Sequence, residues 1–153
     1  GVHGMSATRL NRPARRVLLA LVALLAAAQL EADTLRIRMI RATHEESEGV
    51  APELQDVLAV LRGTLAFRSY VLDADATLPL PANGELARVG IYQVLCEGAA
   101  DRLTVQILRG SKRILRTVAT VRRDQPVILG GFPARSGGTR MFILTVEADT
   151  PTP

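Results

Sequence analysis

Few side chains in this chain are equipped for chemistry. Past an N-terminal stretch that reads as a leader, the sequence keeps one histidine, His44, and one cysteine, Cys96. His44 heads the run His44-Glu45-Glu46-Ser47-Glu48-Gly49, the densest group of potential metal ligands. Oxygen ligands in a loop suit Ca²⁺ or Mg²⁺. The spacing is not that of an EF-hand, however, and His-Glu-Glu-Ser lacks the second histidine of H-E-x-x-H. The run therefore reads as a solvated acidic loop before a helix, and no metal or cofactor is expected. A Ser-His-Asp arrangement would have to join His44 to Ser47, Ser69, Ser111 or Ser136, none of which lies in a nucleophile elbow. No pair of carboxylates is singled out for acid–base work. This inventory points away from an enzyme. A single cysteine also excludes an intramolecular disulfide and a multi-cysteine zinc site. With Val94 and Leu95 before it, Cys96 reads as a small buried hydrophobe, the alternative being a free or intermolecular thiol.

Two features suit binding. Arg36, Arg38 and Arg41 read as a basic stripe on one strand, which a phosphate or a lipopolysaccharide would engage. The same pattern is also the solvated face of a protected edge strand. The second feature is the glycine-rich segment from Gly130 to Gly138, which lacks G-x-x-x-x-G-K-[S/T] and so is not a phosphate-cradling P-loop. It reads as a long hairpin, with Phe132 as core or as an exposed anchor. The candidate interaction residues are Gly130, Gly131, Phe132, Arg135, Arg36, Arg38 and Arg41. No aromatic residues interleave with the cations to stack bases.

The elements that must carry these residues follow from hydrophobic period. Thr34 to Thr43 alternates Leu35, Ile37 and Met39 with cations, a strand with one solvated face in an antiparallel or edge position. Pro52 to about Arg62 is the one clear helix. Pro52 suits its first position, and Glu53 and Asp56 lie in its early turns. Leu54, Val57, Leu58 and Leu61 form its apolar stripe, and Gly63 suits a C-cap. Phe67 to Leu72 is a short strand. Leu78-Pro79-Leu80-Pro81 reads as extended and irregular, and Asn83-Gly84 as a turn. Further strands are expected at Arg88 to Cys96, Leu103 to Arg109, Ile114 to Val121, Val127 to Leu129 and Met141 to Glu147. Short connections imply antiparallel pairing. The expected fold class is α+β, a mainly antiparallel sheet or small sandwich with one amphipathic helix.

The charge is unevenly distributed. The chain of 153 residues has a net charge of +4 and a pI near 10.2. Met5 suits a start, leaving residues 1–4 upstream of it. Arg9, Arg12, Arg15 and Arg16 precede the 12-residue apolar run Val17 to Ala28. A membrane span needs about 20 such residues, whereas a signal-peptide core needs about 7 to 15. Residues 5–28 therefore read as a signal peptide cleaved after Ala28, or alternatively after Ala32. Arg15-Arg16 suggests a twin-arginine leader, but the Phe and trailing Lys of that type are missing, which favours ordinary export. From Asp33 onward, 15 Lys and Arg face 14 Asp and Glu. The basic pI thus belongs to the leader, and no nucleic-acid partner is expected. Residues 33–148 are expected to form one β-rich domain and 149–153 a frayed tail. The mature form would have no membrane span. The length excludes a TIM barrel or a two-domain dehydrogenase.

The run Gln125-Pro126-Val127-Ile128-Leu129-Gly130-Gly131-Phe132, followed by Met141-Phe142-Ile143-Leu144-Thr145-Val146-Glu147-Ala148, resembles the end of a secretin β-domain. There an apolar strand ends in a glycine pair before the closing strand. More broadly, Leu35 to Ala148 resembles short uncharacterised exported bacterial envelope proteins. These resemblances imply a periplasmic or secreted address and a protein partner in the cell envelope, without a known activity. The expected role is a non-enzymatic envelope module, as an accessory or assembly part of a secretion or pilus system. The alternative is a domain that binds a glycan, lipid or metal.

Overall fold

The structure, a computed structural model, describes residues 33–46 and 49–148. The expected signal peptide at residues 5–28, the residues before it and the expected tail at 149–153 lie outside the described residues. Eight strands form two four-stranded antiparallel sheets. The first has the order β2-β1-β8-β7, with β1 Asp33–Thr43, β2 Ser69–Leu80, β7 Val127–Pro133 and β8 Thr139–Ala148. The second has the order β3-β4-β5-β6, with β3 Ala82–Val89, β4 Tyr92–Gly98, β5 Leu103–Arg109 and β6 Lys112–Ala119. Between β1 and β2 comes the helix, a 3-10 opening Pro52–Val57 continued by α1, Leu58–Thr64. The expected α+β class with antiparallel sheets and one helix holds.

Alternation puts the core between the sheets. Leu35, Ile37 and Met39 from β1 meet Val94 and Cys96 from β4, Val105 and Ile107 from β5, and Phe142 and Leu144 from β8. Each fully buried aliphatic side chain contributes roughly 1.5–3 kcal/mol, which compensates for an aromatic content of only 3%. A second core lies on the outer face of the first sheet. There Leu54, Val57 and Leu61 of the helix cover Ile40, Ala42, Tyr70, Met141 and Ile143. The opening turns are 3-10, with three residues per turn, so Leu54 and Val57 stack one above the other. The Tyr70 hydroxyl donates to the Leu61 carbonyl at 3.3 Å, and burial raises its pKa.

Several sequence expectations are corrected. β1 is not an edge and its second face is not solvated: β2 and β8 flank it and the helix covers it. Gly63 lies within α1, and the cap is extended Leu65, whose N–H donates to the Leu61 carbonyl. The segment through Pro79 continues β2, where an edge position tolerates the missing donor. Asn83-Gly84 is a bulge within β3, not a turn. Arg88 to Cys96 is two strands, because Gly90-Ile91 makes a two-residue hairpin with Gly90 at φ +63°. The strand expected at Val127 to Leu129 runs on to Pro133, leaving a hairpin loop of only residues 134–138.

One polar cluster fastens the helix to the sheet. Arg38 has no exposed surface. Its Nη1 donates to Asp56 Oδ1 at 2.7 Å and to the Glu53 carbonyl at 3.0 Å. Its Nη2 donates to Asp56 Oδ2 at 2.8 Å and to Thr145 Oγ1 at 3.3 Å. This bidentate fork is the geometry that suits a guanidinium out of water. Arg36, on the same face, pairs with Asp75 at 2.7 Å and Glu147 at 3.5 Å, and the Asp75 hydrogen bond raises its pKa.

Asp56→Ala is expected to lower stability in urea denaturation by about 2–3 kcal/mol, less than for a fully buried pair because Asp56 itself is half exposed. Arg38→Met added to it should recover most of that loss, since the unpaired charge is gone. Hydrogen bonding from Arg38 holds the Asp56 carboxyl below its ordinary value near 3.8. The pair's contribution is therefore complete above that value and is lost as pH falls through the lower folded one. Acid denaturation of the double variant should lack this component.

Candidate functional site

One end of the sandwich carries a cleft. There β1, β3, β5 and β7 terminate, and the tips of the β3–β4, β5–β6 and β7–β8 hairpins surround a cleft of about 530 Å³. Its volume falls within the range of about 300–1,000 Å³ usual for small-ligand sites. Four arginines line it, Arg41, Arg109, Arg135 and Arg140, against a single carboxylate, Asp73. Met39, Ile91, Tyr92 and Pro133 supply apolar wall, and Ser136 a hydroxyl.

Strand register explains how the charges come together. Arg41 continues the inward series Leu35, Ile37, Met39 by one step, and Arg140 likewise extends Phe142, Leu144 and Val146 outward to the end of the sandwich. The two residues are direct cross-strand partners. Like charges placed opposite each other are destabilising unless a counter-charge intervenes. β2 provides one by an irregularity: Met39 pairs with Ala74 but Ile40 with Leu72, so Asp73 is the extra residue. Asp73 reaches Arg41 at 3.9 Å and Arg140 at 3.6 Å. These are loose contacts, well beyond the 2.7–2.9 Å of a tight charge-assisted hydrogen bond. The Arg140 guanidinium also lies 5.7 Å from the Tyr92 ring centroid, and its Nε is buried with no hydrogen-bond partner. Tyr92 packs edge-on against Phe142, which packs in turn on Phe132, so the cleft wall at Tyr92 is backed by an aromatic cluster.

Of the residues singled out in the sequence, Arg41 and Arg135 line the cleft. Phe132 is half-buried and packs on the main core, so it is core rather than an exposed anchor. Gly130 and Gly131 lie in β7, where the register shifts between Gly130 and Phe132 and leaves Gly131 as the extra residue. Arg36 and Arg38 lie on the opposite face of β1 from Arg41, because residues of unlike parity point to opposite sides of a strand. The three arginines therefore do not form one stripe. Asp73, Ile91, Tyr92, Arg109 and Arg140 were missed. A cation continuing the buried series of a strand was the available signal for Arg140, and Arg41 carried the same signal.

No protein-family model, curated protein or solved structure matches this chain.

The acidic loop does other work. His44 stacks on Phe67 with centroids 4.8 Å apart, Glu46 pairs with Arg68 at 2.9 Å, and Ser69 Oγ donates to the Glu45 carbonyl. Among the described residues, no three histidine, cysteine or acidic side chains converge as a metal site would require. Glu48 and Ser47 lie outside the described residues. Cys96 is fully buried on the inner face of β4, and burial pushes its thiol up to about 11, with Glu85 adding a smaller push.

Cys96 should resist a thiol-specific disulfide reagent at pH 8 in the folded chain and react fully in denaturant. Gly138 has φ +84°, and a Cβ there would lie 2.6 Å from the Ala42 carbonyl oxygen. Gly138→Ala should therefore cost roughly 2 kcal/mol, read from urea midpoints, by straining the hairpin that carries Arg135.

Proposed function

We propose that this chain is a non-enzymatic binding module of the bacterial cell envelope that takes an anionic ligand in the arginine cleft. The observation that carries this reading is the convergence of four arginines, Arg41, Arg109, Arg135 and Arg140, on one cleft lined by a single carboxylate, Asp73. A phosphate or carboxylate seated there would offer oxygens to the guanidinium groups that line the cleft, the charge-assisted pairing that suits arginine. Arg109 and Arg135 stand exposed at the rim, where they would attract the anion and close over it. The apolar side, Ile91 and Pro133, suits a ligand whose body is not charged throughout. The leader-like N-terminus supports the envelope address.

A second reading, an accessory module of a secretion or pilus apparatus, is favoured by β7. This edge strand, Val-Ile-Leu-Gly-Gly-Phe-Pro, carries no charged side chain. The other edges are guarded: β6 by Lys112, Arg113 and Arg116, β2 by Asp73 and Asp75, and β3 by Glu85 and Arg88. An unguarded edge is what an added strand from a protein partner pairs with.

Calorimetry of the purified chain with inorganic phosphate, glycerol phosphate and succinate tests the first reading. Binding that weakens with added salt is expected for at least one of them. Arg140→Gln should weaken it about tenfold, as should Arg135→Gln at the exposed rim, each removing one charge-assisted hydrogen bond. No heat from any of the three at millimolar concentration overturns the proposal.

A further inference from the structure

Ile91 is 59% exposed, the most exposed large hydrophobic side chain among the described residues. It occupies the second position of the two-residue turn joining β3 to β4, where a polar residue would be usual, and it lines the rim of the arginine cleft. The three hairpin tips at this end, residues 88–92, 109–113 and 133–140, contain Arg88, Arg109, Lys112, Arg113, Arg135 and Arg140 and no carboxylate. The connections at the other end are mixed. Residues 97–102 and 119–126 hold Glu97, Asp101 and Asp124 alongside Arg102, Arg122 and Arg123. Glu45 and Glu46 also leave β1 at the cleft end. They turn into the helix layer, where Glu46 is paired with Arg68 and His44 stacks on Phe67. The molecule thus has one end that is basic at its tips and carries a protruding aliphatic side chain.

We propose that this end docks on an anionic lipid surface, with Ile91 entering the boundary between headgroups and acyl chains and a lipid phosphate seated in the cleft. The proposal rests on the anion-binding reading of the cleft and narrows it to one source of phosphate. Two forces act together in such docking. Burial of an apolar side chain at the interface supplies one. Attraction of each basic residue to an anionic leaflet supplies the other, strengthening binding about fivefold per cation near the surface. An acidic protein segment would use the arginines equally well but would leave Ile91 without a purpose. Among the described residues no helix is long and apolar enough to cross a membrane, so this contact is one of surface docking.

The chain has no tryptophan, so a single introduced indole reports its own surroundings. Ile91→Trp should show a blue-shifted emission with vesicles of phosphatidylglycerol and phosphatidylcholine, and no shift with phosphatidylcholine alone. Val118→Trp, at an exposed site on β6 toward the other end, should show no shift with either. The unaltered chain should float with the anionic vesicles and be released by salt. Arg109→Gln combined with Arg135→Gln should weaken that association roughly 25-fold. Binding of glycerol phosphate without flotation overturns lipid docking and leaves the anion site standing. Absence of both overturns both. Retention on immobilised poly-glutamate with no affinity for vesicles overturns lipid docking and reassigns the cleft to an acidic polypeptide.

Discussion

A guanidinium with no exposed surface, that of Arg38, lies between a helix and the first sheet, and much of the molecule is arranged around it. A charge taken out of water is tolerated only with close, well-aligned partners. Asp56, the Glu53 carbonyl and Thr145 supply them, from the helix on one side and β8 on the other. Because Arg38 belongs to β1, the helix is tied to the one strand that also feeds Leu35, Ile37 and Met39 into the space between the sheets. β1 is therefore covered on both faces and paired along both edges. Its position leaves little freedom for Arg41, its one inward-facing cation, which is delivered to the cleft end of the sandwich.

That delivery creates an electrostatic problem at the site. Arg41 and Arg140 face each other across β1 and β8, and regular pairing would provide no acid on the inner face beside them. The extra residue in β2 changes the phase of that strand and brings Asp73 to the inside, while Asp75 beyond it stays outside with Arg36. One irregular residue thus determines which arginines share which carboxylate. Asp73 is the one carboxylate lining a cleft that four arginines also line.

How much of this was legible in the sequence depended on the range of the interaction. Local period announced β1, the helix and the closely spaced later strands, because each buries one face and its apolar residues recur accordingly. Connections set by two residues were harder. Gly90-Ile91 sits inside a run rich in strand-forming residues, and only pairing shows that it turns. The glycine pair at Gly130-Gly131 suggested a loop, yet β8 holds those residues in a strand through register shifts that no local signal specifies. In the sequence Arg38 reads as a solvated residue because its partner lies 18 residues away on the helix. The cleft was half visible: Arg41 and Arg135 stood out as cations beside a strand and in a glycine-rich loop. Asp73, Arg109 and Arg140 acquire meaning only when the hairpin tips are brought together.

The buried thiol of Cys96 has a consequence for redox behaviour. With its pKa near 11, about one molecule in ten thousand carries the thiolate at neutral pH, and that thiolate is the form oxidants and disulfides attack. Burial beneath the opposing sheet removes access as well. A domain that holds its fold without a disulfide thereby also avoids forming one by accident. The chain can thus keep a reduced cysteine as ordinary packing material even where oxidants are present.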